Sequence, residues 1–176
     1  MHRYNRWSNS VGVFRHQRPR YHHPMLRLSL AGLHLVALSL GLMAVVMRGS
    51  ALKDPYSPTS LKRALLMDNI WGIAAALWII TGLWRFFGGT EKPTAYYLSN
   101  HLFLAKMACF ALIFALEISP MVTLMRTRLA MRRGMDPASV IAPAARRIAV
   151  VGHVQATLAL IMIFLAVAMA RGYGAA

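Results

Sequence analysis

The chain has 176 residues, 57% of them hydrophobic, and a formal net charge of +15 from 20 Lys and Arg against 5 Asp and Glu. A soluble domain of this size carries more acids and fewer apolar residues, and a disordered basic tail does not reach a mean hydropathy of +0.48. A small integral membrane protein remains, a single domain with its charges in the loops, and the lone Cys109 excludes an internal disulfide framework or a multi-cysteine zinc site.

Residues 1–24 form a basic arm with Arg3, Arg6, Arg15, Arg18 and Arg20, four histidines and no acid. Three readings stand for it: a disordered segment lying on anionic lipid, a topology determinant, or translation from too early a start. The last is favoured, because Met25 opens directly into the first apolar run. Residues 25–172 are expected to form a four-span membrane domain, and 173–176 a tail. The spans are Leu26–Met47, Ile70–Phe87, His101–Ser119 and Ile148–Ala170. Each approaches the roughly 20 residues that cross about 30 Å of hydrocarbon. Runs this long and rich in Leu, Ala and Met are helices rather than strands. The fold class is therefore all-α, a four-transmembrane-helix bundle.

Between the spans lie Asp54-Pro55-Tyr56-Ser57-Pro58, Gly88-Gly89-Thr90-Glu91-Lys92-Pro93, and a long stretch from Arg126 to Arg147 with Gly134 and two prolines. Such clusters break helices. Ten basic residues fall in the first and third connections and four on the other side, if the arm is set aside. The positive-inside rule then places loops 48–68 and 120–147 in the cytoplasm of a bacterium, with the chain in its inner membrane. Counting the arm removes the asymmetry.

Ionisable residues within hydrocarbon usually face the bundle interior. His34, Ala37, Gly41, Ala44 and Arg48 share one face of span one, and Asp68, Gly72, Ala75, Ile79 and Gly82 one face of span two. Lys106, Phe110, Ile113 and Glu117 share a face of span three, and His153, Ala156, Thr157 and Leu160 one of span four. His34 lies about 12 Å from the outer edge, and Lys106 about 8 Å. Depth thus sorts the polar residues into an outer group of His34, His101, Arg85 and Lys106, and an inner, nearly charge-balanced group of Arg48, Asp68, Glu117 and His153. Trp78 reads as packing and Trp84 as an interfacial anchor.

Several stretches resemble a bacterial family of predicted membrane proteins, domain-of-unknown-function family 2214. They are Leu33-His34-Leu35-Val36-Ala37-Leu38, Asp68-Asn69-Ile70-Trp71-Gly72, Gly82-Leu83-Trp84-Arg85 with Gly88-Gly89 and Glu91-Lys92, and Tyr96-Tyr97 through His101, Lys106 and Glu117 to Met121-Val122-Thr123. The resemblance runs from about Met25 to Gly172 and implies a four-span inner-membrane protein, with no activity attached. More loosely, His34, Arg48 and Lys106 are similar in order to the first-span His, the Arg at that span's end and the third-span Lys of the four-helix membrane protoporphyrinogen oxidase. Val45-Val46-Met47-Arg48 stands where that family has Tyr-Leu-Pro-Arg, and Leu104-Ala105 where it has Trp and His.

That second resemblance implies haem b, with His34 as the metal ligand and His101 beside it at a similar depth. Arg48 and Arg85 would contact propionate or substrate, Lys106 would be the catalytic proton acceptor, and a tetrapyrrole and quinone would be partners. The alternative is a non-enzymatic membrane subunit, or a small transporter, whose buried polar residues serve packing or proton and ion passage. For transport, Lys106 and Glu117 lie about 16 Å apart along one helix and would need a homo-oligomer to complete a path. The scattered methionines are apolar filler, and no motif points to nucleic acid.

Overall fold

The computed structural model describes residues 24–88, 92 and 94–174. The basic arm, its start-site reading and Glu91 lie outside the described residues. Five helices follow in order: α1 Pro24–Ala51, α2 Pro58–Phe87, α3 Thr94–Ser99, α4 His101–Arg132 and α5 Ala138–Ala170. Four of them, α1, α2, α4 and α5, are long and apolar enough to cross a membrane. The protein is an all-α, multi-pass membrane bundle.

The helices outrun the apolar runs that announced them. α1 extends past Arg48 to Ala51, α2 begins at Pro58, α4 continues through Arg132 and α5 starts at Ala138. The expected loops 48–68 and 120–147 therefore shrink to short turns at 52–57 and 133–137, and Asp68 sits well inside α2. The reason is local chemistry. Ser57 caps α2, its side chain accepting from Ser60 N–H at 3.4 Å, and a proline opens the first turn, where its missing N–H costs nothing. Polar helix surface beyond the bilayer does not break a helix when its residues are good helix formers.

α3 was not anticipated. It packs its aromatic side chains on the ends of α2 and α4, and Asn100, between α3 and α4, is completely buried. The Asn100 side chain accepts from Leu102 and Phe103 N–H at 2.9 and 3.2 Å, capping α4, while its amide donates to Tyr173 O at 3.0 Å. Gly174 follows at φ +78° and accepts from His101 N–H at 3.1 Å. The turn after α5 is thus tied to the start of α4. Asn100→Ala is expected to cost about 1 kcal/mol as a lost cap and to open residues 171–174 to carboxypeptidase, which timed digestion in detergent checks.

α1 packs along α2 and α5, and α5 along α4, whereas the backbones of α2 and α4 barely approach each other. Small residues permit the close crossings. An added Cβ on Gly152 of α5 would lie 2.7 Å from Val45 O of α1, and one on Gly49 of α1 would lie 2.9 Å from Ala149 Cα. Gly41 makes room for the Trp71 indole of α2. The α2/α4 seam is wider and is spanned by side chains: Trp78 meets Phe110 edge-on at 5.4 Å between centroids, and Phe86 stacks on Phe103 at 5.5 Å. The core holds much alanine, with Ala37, Ala44, Ala75 and Ala159 around Trp71 and Trp78 in one cluster and Ala64, Ala144 and Ala145 with Leu124 and Ile148 in another. Large apolar residues such as Leu28, Ile73, Ile80, Phe87 and Phe164 face outward, as a lipid-facing surface requires.

Candidate functional site

Polar residues gather at two levels of the bundle. At the level where α1 ends, Arg48 is wholly buried. One guanidinium nitrogen donates to Asp68 Oδ1 of α2 at 3.0 Å and to Glu117 Oε1 of α4, and the other to Glu117 Oε2 at 2.8 Å. Arg128 of α4 donates to Asp68 Oδ2 at 2.8 Å, to Asn69 Oδ1 and to Leu65 O. Gln155 of α5 donates to Glu117 Oε2 at 2.9 Å and to Ile113 O at 3.1 Å. Every membrane-spanning helix contributes, and two cations balance two anions. Arg48 holds both carboxylates, and removing it would leave Glu117 without a cation in a poorly solvated place.

The second level is about 21 Å along α1, fourteen residues earlier. His34 meets Trp78 and Thr81 of α2. The indole N–H can only donate, so His34 Nε2 accepts from it, at 3.0 Å. Nδ1 therefore carries the proton and donates to Thr81 Oγ1 at 2.8 Å, and Thr81 passes its own hydroxyl hydrogen to Leu77 O at 2.7 Å. The imidazole is neutral, with both nitrogens engaged. Lys106 of α4 and Arg85 of α2 lie near enough for their charges to act on the ring. Trp78→Phe, which leaves Nε2 without its donor, is expected to lower stability in mixed micelles by about 1 kcal/mol, with His34→Leu in the same background adding little further. Double-mutant analysis of SDS-induced unfolding checks the coupling.

Of the expected outer group, Arg85 and Lys106 stand within charge range of the His34 ring, whereas no contact joins His101 to it among the described residues. Its ring is exposed at the first turn of α4, where only its backbone is tied down. Arg48, expected as a cofactor contact alongside His34, belongs to the other level. The inner group forms with Arg48, Asp68 and Glu117, but His153 is exposed on the outer face of α5, its Nδ1 donating to Ala149 O at 2.7 Å. Gln155 and Arg128 take the places expected for it. Of the face expected for span two, Asp68 joins the network, Ala75 is buried and Gly82 meets the His34 ring, whereas Gly72 is exposed; Trp71, Trp78 and Thr81 also point inward.

The residues missed did leave a signal. Ala145, Ile148, Gly152, Gln155, Ala159 and Met162 recur at alternating three- and four-residue steps, the stripe of a helix that packs on a partner. Gln155 lies on that stripe and His153 does not. Among the described residues, no three His, Cys, Asp or Glu side chains are grouped to hold a metal ion.

A family model described as a predicted membrane protein (DUF2214) matches residues 26–174. No curated protein and no solved structure matches the chain.

Proposed function

Because the chain belongs to the DUF2214 family of predicted membrane proteins, and because the carboxylates of its buried ion-pair network are engaged across helices, we propose that it is a non-catalytic membrane subunit of the bacterial inner membrane whose buried polar residues lock four spans in one arrangement. One observation carries this reading. All four carboxylate oxygens of Asp68 and Glu117 accept hydrogen bonds from side chains on other helices. A carboxylate that moves protons or ions needs an oxygen facing water or the ion, and here each is occupied in holding helices together. A buried ion-pair network that serves only packing can be exchanged for apolar residues of similar volume without loss of fold. The combined variant Arg48→Met, Asp68→Leu, Glu117→Leu and Arg128→Met is therefore expected to fold and to restore whatever growth defect deletion of the gene produces. A folded variant that fails to restore growth overturns the reading.

A second reading, haem b on His34 with a tetrapyrrole as substrate, has the nearness of Lys106 and Arg85 to that ring in its favour, since cations suit carboxylate-bearing ligands. The present arrangement does not fit an axial ligand: Trp78 occupies Nε2 and Thr81 occupies Nδ1. The reduced-minus-oxidised visible spectrum of protein purified from haem-replete cells decides between the two. A stoichiometric b-type band lost in His34→Ala establishes the haem reading, and a colourless folded preparation removes it.

A further inference from the structure

α2 and α4 run antiparallel and meet at intervals, through Asp68 and Arg128, then Trp78 and Phe110, then Phe86 and Phe103. Gly72 lies between the first two of these contacts. It continues the stripe of α2 on which Leu65, Asp68 and Asn69 receive Arg128 of α4. Gly72 is nevertheless exposed, and a Cβ there would meet nothing within 4 Å. At this level α4 does not close over α2, and the seam stands open to the lipid.

The mouth of the seam is rich in hydrogen-bond donors. Arg128 makes its three bonds to α2 through one terminal nitrogen, so its Nε–H and other terminal nitrogen bond no protein atom among the described residues. The side chain is 32% exposed. Asn69 is also exposed, and its Oδ1 accepts from Arg128 at 2.9 Å. A guanidinium can only donate, which fixes the orientation of the Asn69 amide and leaves its NH2 as a spare donor. One turn beyond Arg128 stands Arg132, and one turn before Leu65 stands Lys62, both exposed. Because the helices are antiparallel, these two lie at the same end of the bundle. Neither forms an ion pair among the described residues.

Two surplus cations, an open guanidinium edge and an amide donor thus adjoin a gap in an apolar wall. Phosphate oxygens suit such donors, and basic pockets between spanning helices take anionic headgroups. A soluble anion would use the donors and leave the gap unfilled. A second copy packed symmetrically on this face would set like charges together. We propose that the mouth of the α2/α4 seam binds one anionic phospholipid. Its phosphate rests against Lys62, Arg132 and the open edge of Arg128, an ester carbonyl accepts from Asn69, and one acyl chain lies in the seam past Gly72.

Native mass spectrometry of protein released from nanodiscs of equal phosphatidylglycerol and phosphatidylcholine tests this. One phosphatidylglycerol is expected to remain on each chain in preference to phosphatidylcholine. Lys62→Gln with Arg132→Gln should lower that retention about tenfold. Arg146→Gln with Arg147→Gln removes the same charge from α5 and should leave it unchanged. Gly72→Leu, which fills the gap with every donor intact, should lower retention as well, and Ala76→Leu on the same stripe serves if that variant does not fold. Equal retention of the two lipids by the wild-type protein overturns the proposal, as does an equal loss in the two double variants, which would mean attraction by bulk charge. Displacement of the lipid by millimolar inorganic phosphate, or a lipid-free dimer, overturns it in favour of a plain anion site or a second copy.

Discussion

Arg48→Met is expected to lower the stability of the bundle in mild detergent by about 3–5 kcal/mol, the largest effect of any single substitution in this chain. The change removes one cation and strands Glu117, which keeps only Gln155, while Asp68 keeps Arg128. The magnitude comes from the partners left behind, so it is expected to shrink when they are neutralised. Adding Asp68→Asn and Glu117→Gln to Arg48→Met should recover more than half of the loss, because an amide with few partners costs less than an ionised carboxylate. SDS titration in mixed micelles measures all three variants. Equal losses for the single and triple variants would mean that packing around the arginine stem, rather than charge, is what matters there.

Gly152→Ala comes next. Its Cβ would stand 2.7 Å from the Val45 carbonyl oxygen, and backbone cannot swing aside as a flexible side chain can. α1 and α5 must separate, at a cost of about 1–3 kcal/mol for the overpacking, and Gly152→Val should exceed that. The displacement also reaches the ion pairs, because Gln155 and Arg48 each lie one turn from the crossing. Gly72→Ala is the control: a Cβ there meets nothing within 4 Å, and alanine favours helix over glycine by roughly 1 kcal/mol. Unfolding of the two variants side by side should move in opposite directions.

Much of this architecture could be read from residue order alone, and for identifiable reasons. Four apolar runs announce four spans because nothing but a helix satisfies its own backbone in hydrocarbon. The inward face of α1 was legible because its small residues and its two ionisable residues fall on the same stripe. Arg48, Asp68 and Glu117 could be grouped because buried charges need partners and these three share a depth. What failed was rotation. In α5, His153 seemed the natural inward residue because it is ionisable, but a histidine can satisfy one nitrogen on its own helix, as it does on Ala149 O. A glutamine two positions on cannot serve Glu117 unless it faces inward. In α2, Gly72 was expected on the packing face but is exposed, whereas the Trp71 indole fills the room beside Gly41 of α1 and Trp78 reaches Phe110 of α4. Helix lengths failed differently: hydropathy marks where lipid ends, and these helices continue into water.

The distribution of the network's charges along the chain bears on how the protein enters a membrane. α1 and α2, made first and joined by a short turn, carry Arg48 and Asp68, which pair with each other at 3.0 Å. α4 carries Glu117 and Arg128, three turns apart on a single helix. Each half of the chain thus delivers one positive and one negative member of the network, and neither depends on the other for neutrality at that level while it is being inserted. Only when the halves dock do the crossed pairs form, Arg48 to Glu117 and Arg128 to Asp68. The crossed pairs, added to the Arg48–Asp68 pair that each docked bundle keeps, give the docked state a register that neither hairpin possesses alone.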